Sequence, residues 1–149
     1  MSEKFVLHRD GNPGLMVSDG IGIEFMRQMI LEFNDDYSDI NKLVQINYSD
    51  KVFMFREEMD KLDNENLRFS SFFESERELF YEKLNGELKK IMFQTGLTPN
   101  IYIAGREEFK QEISTALEQA GFNQNNIIIE GGSPDLNCDG GCSSCSSSC

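Results

Sequence analysis

The chain has no tryptophan, a single histidine and, through its first 137 residues, no cysteine. With His8 as the lone imidazole and no thiol in the body, neither a Ser/His/Asp set nor a Cys/His set can be assembled there for nucleophilic catalysis. Catalytic residues are therefore unknown at this level, and His8, between Leu7 and Arg9 near the start, reads as an exposed side chain. Cations are scarce as well. Against 26 Asp and Glu there are only 14 Lys and Arg, which gives a net charge of −12 and a pI near 4.4. Such a field repels polyanions and excludes nucleic acid and anionic membrane surfaces as partners. No apolar run approaches the length of a spanning helix, and the opening "MSEKFVLHRDG" holds no apolar segment long enough for a signal peptide. The expected location is the cytoplasm, without membrane association.

What is present is a regular alternation. At 149 residues with 39% hydrophobic content, the chain can bury one substantial core. Short apolar runs predict strands near residues 15–18, 42–48, 66–72, 100–104 and 126–130. Helical spacing separates them: Ile23, Met26, Met29, Ile30 and Phe33; then Val52, Phe55, Met59 and Leu62; then Phe80, Leu84, Leu88 and Ile91; then Phe109, Ile113, Ala116, Leu117 and Ala120. "SERE" from Ser75 has the form of a capping box, Asn85-Gly86 threatens to break the third helix, and Gly121 stops the fourth. Apolar strands alternating with helices imply an α/β fold, a doubly wound five-stranded parallel sheet with helices on both faces. Residues 1–130 form the domain, and 131–149 read as a flexible linker with a cysteine tail.

In such sheets ligands bind beyond the carboxyl ends of the strands, where strand order reverses. The first strand–helix turn is "SDGIGIEF", in which Gly20 and Gly22 permit a sharp turn at a helix N-terminus suited to phosphate. The full G-x-G-x-x-G pattern stops short, because Phe25 stands where the third glycine belongs.

"PGLMVSDGIGIEFMRQMI", "LVQINYSDKVFMFREEM" and "IYIAGREEFKQEISTALEQAGFNQNNIIIE" resemble, in order, three stretches of the nicotinamide-binding domain of the ferredoxin–NADP reductase family; "EKFVL" resembles the last strand of the flavin barrel that precedes that domain. The resemblance spans roughly residues 4–130 and implies a sheet in the order 3-2-1-4-5. It also implies a nicotinamide dinucleotide held by Gly20, Gly22, Ser49, Lys51, Gly105, Arg106 and Glu130. The departures are specific. The flavin barrel is missing, so FAD would come only through a partner. Phe25 replaces a proline, and Ala104-Gly105-Arg106 stands where the family has Cys-Gly-Pro. Asp19 and Glu24 flank the glycine turn, where they oppose a pyrophosphate, and Arg27 offsets only part of that. Dinucleotide affinity is therefore expected to be weak or lost. With Lys51 alone to meet an extra phosphate, NADH is favoured over NADPH.

The chain ends "CDGGCSSCSSSC", and all its cysteines lie there: Cys138, Cys142, Cys145 and Cys149. In a reducing compartment such a cluster points to an iron–sulfur cluster, zinc, or chemistry on the thiols. The Ser and Gly filler offers no apolar shield for a cluster. "EGG" before the tail also resembles the double-glycine boundary of ribosomally made peptides that are modified after synthesis. Two functions follow. One is a reductase-type electron-transfer module, paired with a flavoprotein and carrying a metal centre in its tail. The other is a non-catalytic leader domain whose tail, after Gly131-Gly132, is the substrate of a peptide-modifying enzyme; incidental disorder is the plain alternative to both. Because no apolar residue follows Leu136 except the cysteines, truncation after Glu130 should shift unfolding free energy by no more than about 0.5 kcal/mol. In the reduced, metal-free protein all four thiols should react without denaturant. Calorimetry of the truncated chain and thiol titration check the two parts separately.

Overall fold

A computed structural model describes residues 5–8, 10–35, 40 and 42–131. The elements run β1 (Gly14–Asp19), a 3-10 turn (Gly20–Gly22), α1 (Ile23–Asp35), β2 (Leu43–Tyr48), α2 (Arg56–Glu65), β3 (Phe69–Glu74) and α3 (Arg77–Thr95). They continue with β4 (Asn100–Ala104), α4 (Glu107–Gln119), a second 3-10 turn (Gln124–Asn126) and β5 (Ile127–Ile129). All strand pairings are parallel, in the order β3-β2-β1-β4-β5. Register sets Asp19 beside Tyr48 and Ser18 beside Ala104, so β1, β2 and β4 end almost level at one edge.

The period-2 alternation of the strands divides the core. Met16, Leu43, Phe69 and Tyr102 meet Met26, Ile30 and Phe33 of α1 and Met59 of α2. Leu15, Val17, Ile46 and Ile103 meet Phe80, Leu84 and Leu88 of α3 and Phe109, Ile113 and Leu117 of α4. Helices α1 and α3 cover the sheet with the stripes their spacing predicts, α2 with Met59 and Leu62 of its stripe, and α4 with its stripe short of Ala120, which is exposed past the helix end; both faces of the parallel sheet are apolar as a result. Within this apolar frame β2 carries two fully buried amides. Gln45 Nε2 donates to Ser71 Oγ at 2.9 Å, and Asn47 Nδ2 donates to Ser18 Oγ at 2.9 Å, so the amides bond β2 to both of its neighbours.

Four expectations about the strands and helices need correction. The third strand begins at Phe69, because Asn66 Oδ1 and the Asn66 carbonyl accept the backbone N–H groups of Arg68 and Phe69 and form a turn there. The box at Ser75 does not form: Glu76 is the N-cap of α3 and makes no side-chain cap bond. Helix α2 starts only at Arg56, since Phe55 sits in the left-handed region at φ 61°; Val52 is 70% exposed outside it. Asn85-Gly86 does not interrupt α3, because both residues face solvent while Leu84, Glu87 and Leu88 face the sheet. Packing of that stripe outweighs the ~1 kcal/mol that an interior glycine costs.

Ahead of β1, Phe5, Leu7 and His8 pack onto the domain. Phe5–His8 form no strand; Phe5 meets Tyr102 and Phe25 edge-on, and the His8 N–H donates to Tyr102 Oη at 2.8 Å. His8 is half-buried with its ring against Tyr102, contrary to the exposed reading. Burial pushes the Tyr102 hydroxyl up to about 12, and burial with the Glu112 carboxylate does the same at Tyr81. An unfolded tyrosine ionises near pH 10. Folded pKa values above that mean the associated stability is complete below pH ~10 and is lost as pH rises towards about 12. Denaturant midpoints measured across this range should fall steeply, and Tyr102→Phe should flatten part of the fall. A midpoint independent of pH there would contradict the burial of both hydroxyls.

Candidate functional site

The chain leaves β1 at Asp19 and passes through α1 to β2 on one side, while β4 lies on the other. The carboxyl end of β1 is therefore the point at which strand order reverses. Two adjoining cavities open there. An inner chamber of about 400 Å³ lies among Gly20, Ile21, Gly22, Phe25 and Gly105. An outer chamber of about 360 Å³ lies among Tyr48, Ser49, Asp50, Lys51 and Arg77. Asp19, Gly20 and Arg106 line both.

Glycine is required where the two loops meet. A Cβ on Gly22 would stand 2.7 Å from the Ala104 carbonyl oxygen, so the first turn is pressed directly on the end of β4. Gly105 has φ 139°, and a Cβ there would lie 2.1 Å from Asp19 Oδ1. Asp19 is only 3% exposed and spans the junction. Its Oδ1 accepts the Arg106 backbone N–H at 3.0 Å, and its Oδ2 accepts Arg106 Nε at 2.8 Å. This contact raises the Arg106 guanidinium above its ordinary range. Asn47 steadies the turn from below: its Nδ2 also donates to the Gly20 carbonyl at 3.3 Å.

The expected site residues therefore separate. Gly20, Gly22, Gly105 and Arg106 line the inner chamber, and Ser49 and Lys51 join Gly20 and Arg106 around the outer one. Glu130 stands apart: its carbonyl and carboxylate accept from buried Lys110 Nζ at 2.8 and 3.3 Å. Asp19 is paired rather than free. Glu24 lines a different cavity of about 390 Å³ with Phe5 and Gln28, and Arg27 forms a two-bond pair with Glu58 on α2 at 2.8 and 3.1 Å. Neither Glu24 nor Arg27 lines the two chambers at the turn. The cysteines Cys138, Cys142, Cys145 and Cys149 lie outside the described residues, and among those that are described no His/Cys/Asp/Glu group has the makings of a metal site.

Two contributors were not read from the sequence. Asn47 looks like any strand residue, and its buried amide carries no periodic signal. Arg77, first residue of α3, brings a second guanidinium beside Lys51. Arg77 Nη2 donates to Glu112, which also accepts from the Tyr81 hydroxyl; the Tyr81 bond first, then Arg77, holds the Glu112 carboxyl below its usual range. The triplet clamps the start of α3 to α4.

Similarity to known proteins is confined to shape. No family model and no curated protein matches the chain. Among solved structures it is similar to the CS–b5R domains of human Ncb5or in an NAD+ form, with a TM-score of 0.61 and 18% identity. The likeness covers 79% of this chain and 36% of that one, and shows a shared fold. The chain thus corresponds to little more than a third of that structure.

The close approach of the two loops is directly testable. Gly22→Ala should destabilise the domain by about 1–3 kcal/mol, since its methyl meets backbone that cannot turn aside. Gly86→Ala on the open face of α3 should stabilise it by about 0.5–1 kcal/mol. Urea denaturation of both variants measures the contrast, and equal effects would show that the turn is not packed on Ala104.

Proposed function

We propose that the domain binds a nicotinamide dinucleotide at the β1–β4 switch point and serves as the nucleotide-binding part of a reductase-type electron-transfer system, its flavin carried by a partner protein. The observation that carries this reading is the convergence of Lys51, Arg77 and Arg106, against the carboxylates Asp19 and Asp50, on one chamber at the carboxyl edge of a chain with net charge −12. Side-chain cations suit phosphate oxygens. The fold shared with a reductase structure in an NAD+ form supports the same ligand class. When bound, the dinucleotide would supply a hydride to the partner's flavin; this chain's residues would bind and orient it. The tail cysteines Cys138, Cys142, Cys145 and Cys149 would hold an iron–sulfur or zinc centre, an assignment that rests on their spacing alone.

Arg77 alters the expected preference. Lys51 alone favoured NADH, whereas Lys51 with Arg77 offers two cations to an additional phosphate and favours NADPH. Titration calorimetry should find weak binding with NADPH ahead of NADH. Lys51→Ala and Arg77→Ala should each weaken NADPH by up to about fivefold, the scale of an exposed ion pair. Failure of both dinucleotides to bind at millimolar concentration would sink the reading. The Asp19–Arg106 pair, which closes the junction of the two chambers, favours the second reading, a leader domain that has left catalysis and presents its tail to a peptide-modifying enzyme. Intact-mass measurement of the native protein separates the two. Bound iron on an unmodified chain supports the electron-transfer module, and loss of water or hydrogen confined to the tail supports the leader.

A further inference from the structure

We infer that Asp19 is a built-in occupant of the anion position at the switch point and determines which anions the cleft accepts. A single phosphate enters the outer chamber without rearrangement, and a pyrophosphate spans both chambers only after the Arg106 guanidinium has left Asp19. The inference rests on the reading of this cleft as a site for phosphorylated ligands and adds a latch to it.

Both oxygens of the Asp19 carboxylate are held by one residue, Oδ1 by the Arg106 backbone N–H and Oδ2 by Arg106 Nε. That amide opens α4, so the carboxylate takes the place that a ligand anion would take at this helix terminus. The same pair stands in the walls of both chambers and acts as the partition between them. The two halves of the partition differ in freedom. Asp19 is buried against Gly105, whose missing side chain leaves the space its Oδ1 fills. The Arg106 side chain is 70% exposed and can swing outward on its own stem. Opening the latch leaves a carboxylate with one amide partner facing the entering phosphates. A dianionic group is therefore penalised in the inner chamber unless Arg106 bridges it and Asp19. A purely structural clasp between β1 and the β4–α4 loop would make a different demand: removing the charge would lower stability and leave anion binding unchanged.

The experiment is an amide NMR titration of the full chain with inorganic pyrophosphate, in the wild type and in Asp19→Asn. The wild type should respond at Ser49, Lys51 and Arg77 while Gly22 and Gly105, which line the inner chamber alone, stay in place. Asp19→Asn should bind about tenfold more tightly, the change that some 1.4 kcal/mol of removed repulsion produces, and should move the glycine amides. Asp19→Gly, which needs no new contact beside Gly105, provides the same readout should the asparagine variant fail to fold. Variants that bind pyrophosphate no more tightly than the wild type overturn the latch, as do wild-type glycine amides that already respond as strongly as those of the variants. Inorganic phosphate titrated into the wild type tests the outer chamber by itself. Silence at Ser49 and Lys51 would count against the nucleotide reading while a gain in Asp19→Asn still supported the latch.

Discussion

The backbone of the first glycine turn lies against the carbonyl end of β4, and the carboxyl edge is organised around that contact. With no side chain at Gly22 or Gly105, the 3-10 turn and the β4–α4 loop come close enough for the Asp19 carboxylate to reach the backbone amide of Arg106, the N-cap of α4. A methyl at either glycine would push the loops apart and open the junction. The two chambers, their shared wall and the orientation of Arg106 all follow from that approach. Asn47 contributes from beneath by bonding the Gly20 carbonyl and Ser18 Oγ, which fixes where the turn begins. A buried amide in a central strand is costly unless its donors are engaged, so its placement under the turn ties the β2 core to the geometry of the edge.

Electrostatics at this edge are set by pairing. In a chain so rich in carboxylates, these cations are already committed to carboxylates: Arg106 to Asp19, Arg77 to Glu112, Arg27 to Glu58 and Lys110 to Glu107 and Glu130. The pairs differ in what they leave available. Arg27 and Lys110 are taken up between elements, α1 with α2 and α4 with the end of β5, and lie apart from the chambers. Arg77 and Glu112 are both exposed, and such a pair holds by about a kcal/mol or less; the Arg106 side chain is exposed as well, but its partner Asp19 is buried. Resident carboxylates therefore stand beside the cations of the cleft, and any anion entering it would have to compete with them.

The sequence disclosed the frame better than the edge. Strand runs such as "LMVS" and "IYIA" are apolar on consecutive residues because both faces are covered, and the stripe Phe80, Leu84, Leu88 and Ile91 named the buried side of α3 before any coordinates. The strand order came from the family resemblance, since alternation by itself admits other windings. What escaped has a common physical character. The Asp19–Arg106 and Arg77–Glu112 pairs join residues 87 and 35 positions apart, and no local period records a partner at that distance. Reading Asp19 as a bare charge was therefore half right: the carboxylate faces the cleft, but it is paired with Arg106. Ser75 and Gly86 failed for the opposite reason. Local rules for a cap and a breaker were overruled by the packing of the helix that contains them.

Lys110 extends the same logic to the start of the tail. Its ammonium group, 4% exposed, bonds Glu107 at 2.9 Å and the Glu130 carbonyl at 2.8 Å, so the last residues of the sheet are held to the first turn of α4. Arg106 begins that turn. The point from which the chain continues past Gly131 is thereby fixed on the same edge as the two chambers. At ~3.5 Å per residue the remaining segment to Cys149 has a contour of order 60 Å, well beyond the width of the edge. A tail of that contour has the covalent length for either proposed use, return to the cleft or delivery to an external enzyme. The difference must lie in what occupies the cleft, and the group that already occupies its junction is the Asp19 carboxylate.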